Sequence, residues 1–358
     1  MRRVLFLVLL LAACAPRGMI TYLPGDGGTL LSFLVGTTRG FNEEGRPNAE
    51  RHQQIRFGRI DISIPDAHEV GKIEWPRGNP DPDQHFLTRD FAEYDTRRFR
   101  DQVRREMAKR SPQHRGVALF VHGYNNTFAE GMYRFAQVVH DTGMPEVAVH
   151  YSWPSAGNPL GYGYDRDSML FARDGMEQMM GEIAAAGGKI TLVGHSMGSL
   201  LIMETLRQIA IRDRGFIDRH IEGVILISPD VDIELFRQQA LRIGELPQPF
   251  VIFSSSQDKI LRLSAALTGR RDRLGNIEDV RELADLKVTV LDVSAFTDAE
   301  SSHNTALASP SFLRLMGSIP VLDQAFSRDR AANIGLLPGT VLVVQNVTNV
   351  VIAPGAAP

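Results

Sequence analysis

An α/β fold, a mostly parallel central sheet with helices on both faces, is predicted by three observations. From Gly116 onward, apolar runs of strand length alternate strictly with helical patterns, the rhythm of a parallel sheet covered on both sides. In the middle of that rhythm lies Gly194-His195-Ser196-Met197-Gly198, between the apolar run 190–193 and a helical pattern of Leu200, Leu201, Met203, Leu206 and Ile209. The 358 residues, 43% hydrophobic and 23% charged, have a soluble protein's composition and suffice for one large core or two ordinary ones.

The chain opens on the basic stretch Met1-Arg2-Arg3 and an apolar run, 4–11, far too short to span a bilayer. Leu11-Ala12-Ala13-Cys14 then matches the lipobox of bacterial lipoproteins, where the cysteine is acylated and becomes the mature N-terminus. Cys14 is the only cysteine, so none remains for a disulfide. Ala15 follows it rather than aspartate, which resembles an outer-membrane destination facing the periplasm. The alternatives are an ordinary secretory signal with a chance cysteine and an uncleaved anchor. The expected organisation is a lipoprotein signal peptide at 1–13, a lipidated N-terminus and Gly/Pro-rich tether at 14–35, the α/β body at 36–330 and a β-rich tail at 331–358.

Residues 30–35 form a short apolar run, a first strand or a docking segment, and 36–51 reads as polar and irregular. Residues 56–65 alternate, with Ile60, Ile62 and Ile64 on one face, which predicts a half-buried strand. Residues 70–75 are expected as its antiparallel neighbour, 76–83 as a loop, and 91–109 as a charged helix touching the body through Phe91, Tyr94, Val103 and Met107. Strands are then expected at 117–121, 147–152, 190–193, 223–228, 250–254 and 288–293. Helices intervene from the N-cap Thr127 to about 142, over 167–186, after Ser196, and up to about 243, with a last one from about Ser311. The β-branched stretch 340–352 is interrupted by Gln345, Asn346 and Asn349, and so suits one or two strands rather than a membrane helix.

A net charge of -3 with scattered arginines points to no nucleic-acid partner. Nothing approaches a Walker A loop, H-E-x-x-H or paired cysteine spacing, and Gly161-Tyr162-Gly163 lacks the third glycine of a dinucleotide fingerprint. No metal and no organic cofactor is implied.

The positive signal is G-x-S-x-G between strand and helix, the pattern of a nucleophile elbow. The turn is so tight that Gly194 and Gly198 must lack side chains. Ser196 is then presented clear of the sheet, with the Met197 backbone N–H at the helix start facing a developing oxyanion. A second donor is expected from the loop after strand 117–121, His122-Gly123-Tyr124, and the Tyr124 N–H is the candidate. A serine needs a base oriented by a carboxylate. His303, after the last core strand, fits the chain order Ser…Asp…His; His195 points elsewhere, and His122 belongs to an earlier loop. For the acid, Asp258 follows the second strand after the elbow and is favoured by its chain position; Asp230, after the first, stays open, as does Asp232 nearby. Each aspartate also suits a helix cap.

These residues resemble the α/β-hydrolase superfamily, and within it a group of bacterial esterase/lipase-like α/β-hydrolases of unassigned function. The resemblance rests on Val121-His122-Gly123-Tyr124-Asn125-Asn126, Tyr151-Ser152-Trp153-Pro154-Ser155, Gly194 to Gly198, Ser228-Pro229-Asp230-Val231-Asp232, and the Asp258 and His303 loops, and it extends upstream through Arg39 and Arg56 to Pro65. It covers about 36–320 and implies the α/β-hydrolase fold and a Ser-His-Asp site, while saying little about substrate.

Trp153, Tyr162 and Tyr164 are candidates for an aromatic wall of an acyl pocket or for loop packing. Arg270, Arg271 and Arg273 lie near the site's rim as a solvated loop or a contact for anionic lipid or carboxylate. No long apolar insertion suggests a lipase-type lid, which favours soluble or small acyl substrates over bulk triglyceride. The expectation is a lipid-anchored serine hydrolase of acyl esters, acting on a small-molecule or lipid substrate. A phospholipase or acyltransferase of envelope lipids and a non-catalytic scaffold of the same fold are the rivals.

Overall fold

The computed structural model describes residues 17–255, 258, 261, 264, 273–277, 279–283, 285–294, 306–317, 340–345 and 347–352. Cys14, Arg270, Arg271 and His303 lie outside them.

The strands are β1 (Thr29–Phe41), β2 (Pro47–Ile64), β3 (Leu87–Tyr94), β4 (Val117–Val121), β5 (Val147–Ser152), β6 (Ile190–His195), β7 (Ile221–Ile227), β8 (Phe250–Ser254), β9 (Thr289–Asp292), β10 (Thr340–Gln345) and β11 (Val347–Ile352). They form one sheet in the order β10-β11-β9-β8-β7-β6-β4-β5-β1-β2-β3. The run from β11 to β1 is parallel throughout. Only its margins, β1-β2-β3 and β10-β11, are antiparallel. The mostly parallel sheet expected from the β/α rhythm is therefore present.

Helices α1 (Thr96–Ala108), α2 (Phe128–Thr142), α3 (Tyr162–Phe171), α4 (Arg173–Ala185), α5 (Met197–His220), α6 (Ile233–Ile243) and α7 (Pro310–Gly317) cover both faces. On one face Phe99, Met179, Leu201 and Phe236 of α1, α4, α5 and α6 pack against Leu119, Leu192, Leu226 and Ile252. On the other, Phe135 and Met132 of α2 and Phe312 of α7 pack against Phe120, Val193, Ile225 and Phe253. The strand residues alternate between these two cores, as a period of two requires. Deleting Phe135, which stacks on Phe120 at 4.9 Å, leaves a cavity worth about 3–5 kcal/mol.

The N-terminal third departs from expectation in three places. Residues 36–51 are not irregular: β1 continues to Phe41 and β2 begins at Pro47. On the β2 arm residues 50–54 are exposed, and on the β1 arm the buried residues Thr37, Thr38 and Arg39 are polar, so neither arm shows an apolar alternation although the backbones pair. Residues 70–75 form no strand; β3 is the neighbour of β2, and Ile73 and Trp75 are loop side chains packed on the core, Trp75 stacking on Tyr133 at 4.9 Å. The helix expected from 91 starts only at Thr96, where the Asp95 carboxylate accepts from Arg98 N–H at 2.7 Å. Phe91 and Tyr94 belong to β3, and Phe91 is exposed, while Val103 and Met107 are buried as expected.

Farther along, β4, β5, β8 and the Thr127 cap of α2 fall where the sequence places them, the cap completed by a capping box with Glu130. The expected helix 167–186 is two helices, α3 and α4. Residues 17–28, compositionally a tether, are docked: Leu23 N–H bonds Thr88 O, Thr88 N–H bonds Thr21 O, and the sheet begins at Thr29. The tail strands extend the sheet through β11 beside β9.

Candidate active site

Ser196 ends the turn between β6 and α5 with φ 53° and ψ -122°, a conformation costly for a residue with a side chain. Its N–H bonds Ile227 O at 2.9 Å and its carbonyl accepts from Asp230 N–H at 3.2 Å, so the strained turn is pinned to the adjacent strand end. The two glycines are required sterically. A Cβ on Gly198 would lie 2.4 Å from Val121 O, and one on Gly194 2.9 Å from Ser199 Cα.

Two other described non-glycine residues also have left-handed φ, Asn125 at 57° and Ser228 at 44°. They follow β4 and β7, the strands on either side of β6. Strain thus gathers at three neighbouring carboxyl ends, where ligands of such sheets bind.

The loop after β4 lies on Ser196. A Cβ on Gly123 would sit 2.9 Å from Ser196 Cβ and 2.8 Å from His195 Nδ1, so only glycine lets the 123–124 backbone come this close. Met197 opens α5 directly beside it. The loop is held from below by His122, whose Nδ1 faces Gly123 O at 2.9 Å and Nε2 faces Trp153 O at 3.1 Å, while its ring stacks on Trp153 at 4.9 Å. Burial, reinforced by Arg39 and His150, keeps His122 well below the usual imidazole range and hence neutral. Trp153 in turn donates to His122 O at 2.8 Å. It is fully buried, as loop packing requires, and Tyr164 is half-exposed with its hydroxyl donating to Ala49 O. Tyr162 is different: its ring meets Tyr124 edge-on at 5.4 Å beside the elbow.

A buried polar network completes the support. Arg39 of β1, 1% exposed, donates to Ser152 Oγ (2.9 Å), Ser155 O (2.9 Å), Asn126 O (2.9 Å) and Asn48 O (3.2 Å). Burial lowers it to about 10, still fully charged at neutral pH. Asp165 accepts from Ser155 Oγ (2.5 Å), Ala156 N–H (2.6 Å) and Asn125 N–H (3.0 Å). Together they tie the loops after β4 and β5 into one unit. Sequence reasoning gives neither residue this role, Arg39 entering only through the family resemblance and Asp165 not at all, because nothing local distinguishes a buried arginine or aspartate from a solvated one.

Of the candidate acids, Asp230 is 3% exposed and its carboxylate accepts from Tyr162 OH (3.0 Å) and Ser264 Oγ (2.7 Å), with Arg273 Nε at 3.4 Å. Arg273, expected on a solvated loop or at a contact for anionic lipid or carboxylate, is a buried partner of Asp230, held by a backbone bridge to Asp232. Asp232 caps α6 through Leu235 N–H. Asp258 follows β8 and accepts from Leu261 N–H at 3.0 Å.

Among the described residues, one group has metal-ligand composition: His68, His140 and Asp141. It lies at the opposite end of α2 from Thr127, about 20 Å along the helix. Its atoms are already joined by hydrogen bonds, His68 Nε2 to Asp141 Oδ1 at 2.8 Å and Nδ1 to Glu74 Oε2 at 2.9 Å.

The sheet order, the crossover helices and the strained serine between β6 and α5 define an α/β hydrolase. More narrowly, the chain belongs to the family described as alpha/beta hydrolase of unknown function (DUF900), whose model matches residues 96–318. This agrees with the resemblance read from the motifs. The β1-β2-β3 margin precedes the matched stretch. Solved structures similar to this chain include a CIB-like hydrolase from Thermoplasma acidophilum (16% identity, 60% of this chain and 89% of that one, TM-score 0.36). Others are an inhibited esterase B from Lactobacillus rhamnosis (13%, 63% and 82%, TM-score 0.38) and an esterase from Rhizomucor miehei (12%, 86% and 87%, TM-score 0.36). At these scores they carry no argument about chemistry. No curated protein matches the chain.

Proposed function

We propose that this chain is a serine hydrolase of carboxylic esters, anchored in the bacterial envelope through acylated Cys14. Ser196 attacks the acyl carbonyl, His303 takes its proton and returns it to the leaving alcohol, and Asp258 orients His303. The N–H groups of Met197 and Tyr124 stabilise the oxyanion, and water releases the acyl-enzyme. The observation that carries this reading is the strained Ser196 with the glycine of the preceding loop seated against it. Asp258 is favoured over Asp230 by its place after the second strand beyond Ser196; the Asp230 carboxylate accepts from Tyr162 and Ser264 beside Arg273.

The test is labelling by a fluorophosphonate probe. Wild type should label, Ser196→Ala not at all, and His303→Ala at least about a thousandfold more slowly. Asp258→Asn should slow labelling strongly, while Asp230→Asn should act chiefly on stability. A folded wild type that does not label rejects the mechanism.

A further inference from the structure

We propose that the rim carrying the oxyanion loop is the membrane-contacting face, so that Ser196 takes its acyl substrate, a long-chain amphiphile, from the bilayer that holds the anchor. This rests on the serine-hydrolase reading and on acylation of Cys14.

The chain just after Cys14 is fastened at the site. Arg17 donates to Asn125 Oδ1 at 3.0 Å and to Asn125 O at 2.7 Å, and pairs with Glu130. Gly18 N–H bonds Glu130 Oε1 at 3.1 Å, and Thr127 Oγ1 donates to Gly18 O at 3.0 Å. Asn125 stands two residues beyond Gly123, the glycine against Ser196. Only three residue steps separate Arg17 from Cys14, a reach of about 10 Å at full extension. An acyl group on Cys14 therefore enters lipid beside the oxyanion loop, with no spacer long enough to lift the site away.

The same rim carries unpartnered apolar side chains. The loop after β5 is tied to it: a Cβ on Gly157 would lie 3.0 Å from Thr127 Cγ2 and 3.6 Å from Arg17 Nη2, and Tyr124 OH donates to Pro159 O. Next comes Leu160, 92% exposed, the most exposed large apolar residue described; Met19, two residues past Arg17, is 70% exposed. Such side chains gain nothing in water and are stabilised at a lipid interface. Anchor, apolar tip and oxyanion loop share one rim, which commits the surface to a bilayer. This departs from the soluble or small acyl substrates expected from the lack of a long apolar insertion, because access from the bilayer needs no lid.

The experiment uses the full-length acylated protein in phosphatidylethanolamine/phosphatidylglycerol vesicles. Acylation consumes the only cysteine, so Leu160→Cys supplies the single thiol for a fluorophore, and Leu241→Cys on α6, 56% exposed, serves as the reference. A nitroxide on the lipid chains should quench the label at 160 strongly and the label at 241 little. Equal quenching, or an unmodified Cys14 in the envelope fraction, overturns the proposal. In parallel, Leu160→Glu should lower the ratio of vesicle-borne long-chain ester turnover to monomeric butyrate ester turnover about tenfold. An unchanged ratio overturns the substrate assignment. Loss of phosphonate labelling at Ser196 instead indicts the hydrolase reading, while the quenching result still reports the membrane face.

Discussion

The two ends of helix α2 treat the same residue type in opposite ways. At its N-terminal end, His122 and His150 stack at 5.6 Å in a fully buried site beside Arg39, and burial followed by the arginine's charge drives both below the usual range, His150 to about 3. At its C-terminal end, burial opposes the charge on His68, but its hydrogen bonds to the carboxylates of Asp141 and Glu74 prevail and raise it. Asp141 answers in kind. Burial pushes it up, yet bonds from His68, Gln137, Gly71 N–H and His140 bring it down to about 2. Other ionisable groups near this clamp are His140, Arg134 and Glu69, the last through its N–H on Glu74. The lesson concerns task. Around Ser196 the geometry is held by a permanent cation and neutral rings, so titration near neutrality does not disturb it. The clamp fastens the loop between β2 and β3 to α2, and it titrates.

The largest expected effect comes from removing the permanent cation. Arg39→Met leaves the carbonyls of Asn126 and Ser155 and the Asp165 charge without it, and should cost about 3–5 kcal/mol in urea unfolding. A loss below about 1 kcal/mol would mean that Arg39 does not hold this corner.

Next comes the neutral ring. Because the folded value of His150 lies below its unfolded value, the unfolded chain binds the proton first, and stability falls as pH drops below about 6.5. His150→Leu should remove this loss, gaining on wild type by about 2–3 kcal/mol between pH 7 and pH 4. Parallel stability profiles for the two proteins would contradict the assignment.

The clamp has the opposite sign. His68 has a raised folded value, so its contribution is complete below about pH 6.5 and is lost as pH rises from there through the raised folded value; Asp141 contributes above about pH 4 and loses it as pH falls toward 2. His68→Gln should therefore cost about 1–2 kcal/mol at pH 5–6 and less at pH 9, read as the difference in urea midpoint from wild type. The smallest effect belongs to Glu74→Gln, about 0.5 kcal/mol at pH 6, because this outer carboxylate keeps solvent contact. A larger loss than for His68→Gln would reverse the order of the two partners.

Legibility follows the same division. Strands β4, β5 and β8 were readable because strands buried on both faces appear as unbroken apolar runs, as in residues 117–121. The start of α2 was readable because Thr127 and Glu130 form a local capping box. The start of α1 was missed although Asp95 signals it, because the apolar residues Phe91 and Tyr94 were assigned to a helical face when they sit on a strand margin. At the site, Ser196, Gly194 and Gly198 were legible because a tight turn writes its sterics into adjacent residues.

The sequence by itself therefore determined the β/α rhythm, the elbow and the family, all of which depend on short-range patterns. The tertiary structure alone decided that Arg39, Asp165 and His122 secure the loop after β4, that Arg273 is buried against Asp230, and that Arg17 lies on Asn125. Each joins residues far apart in the chain, and a charged side chain records its partner only once folding has removed the water around it.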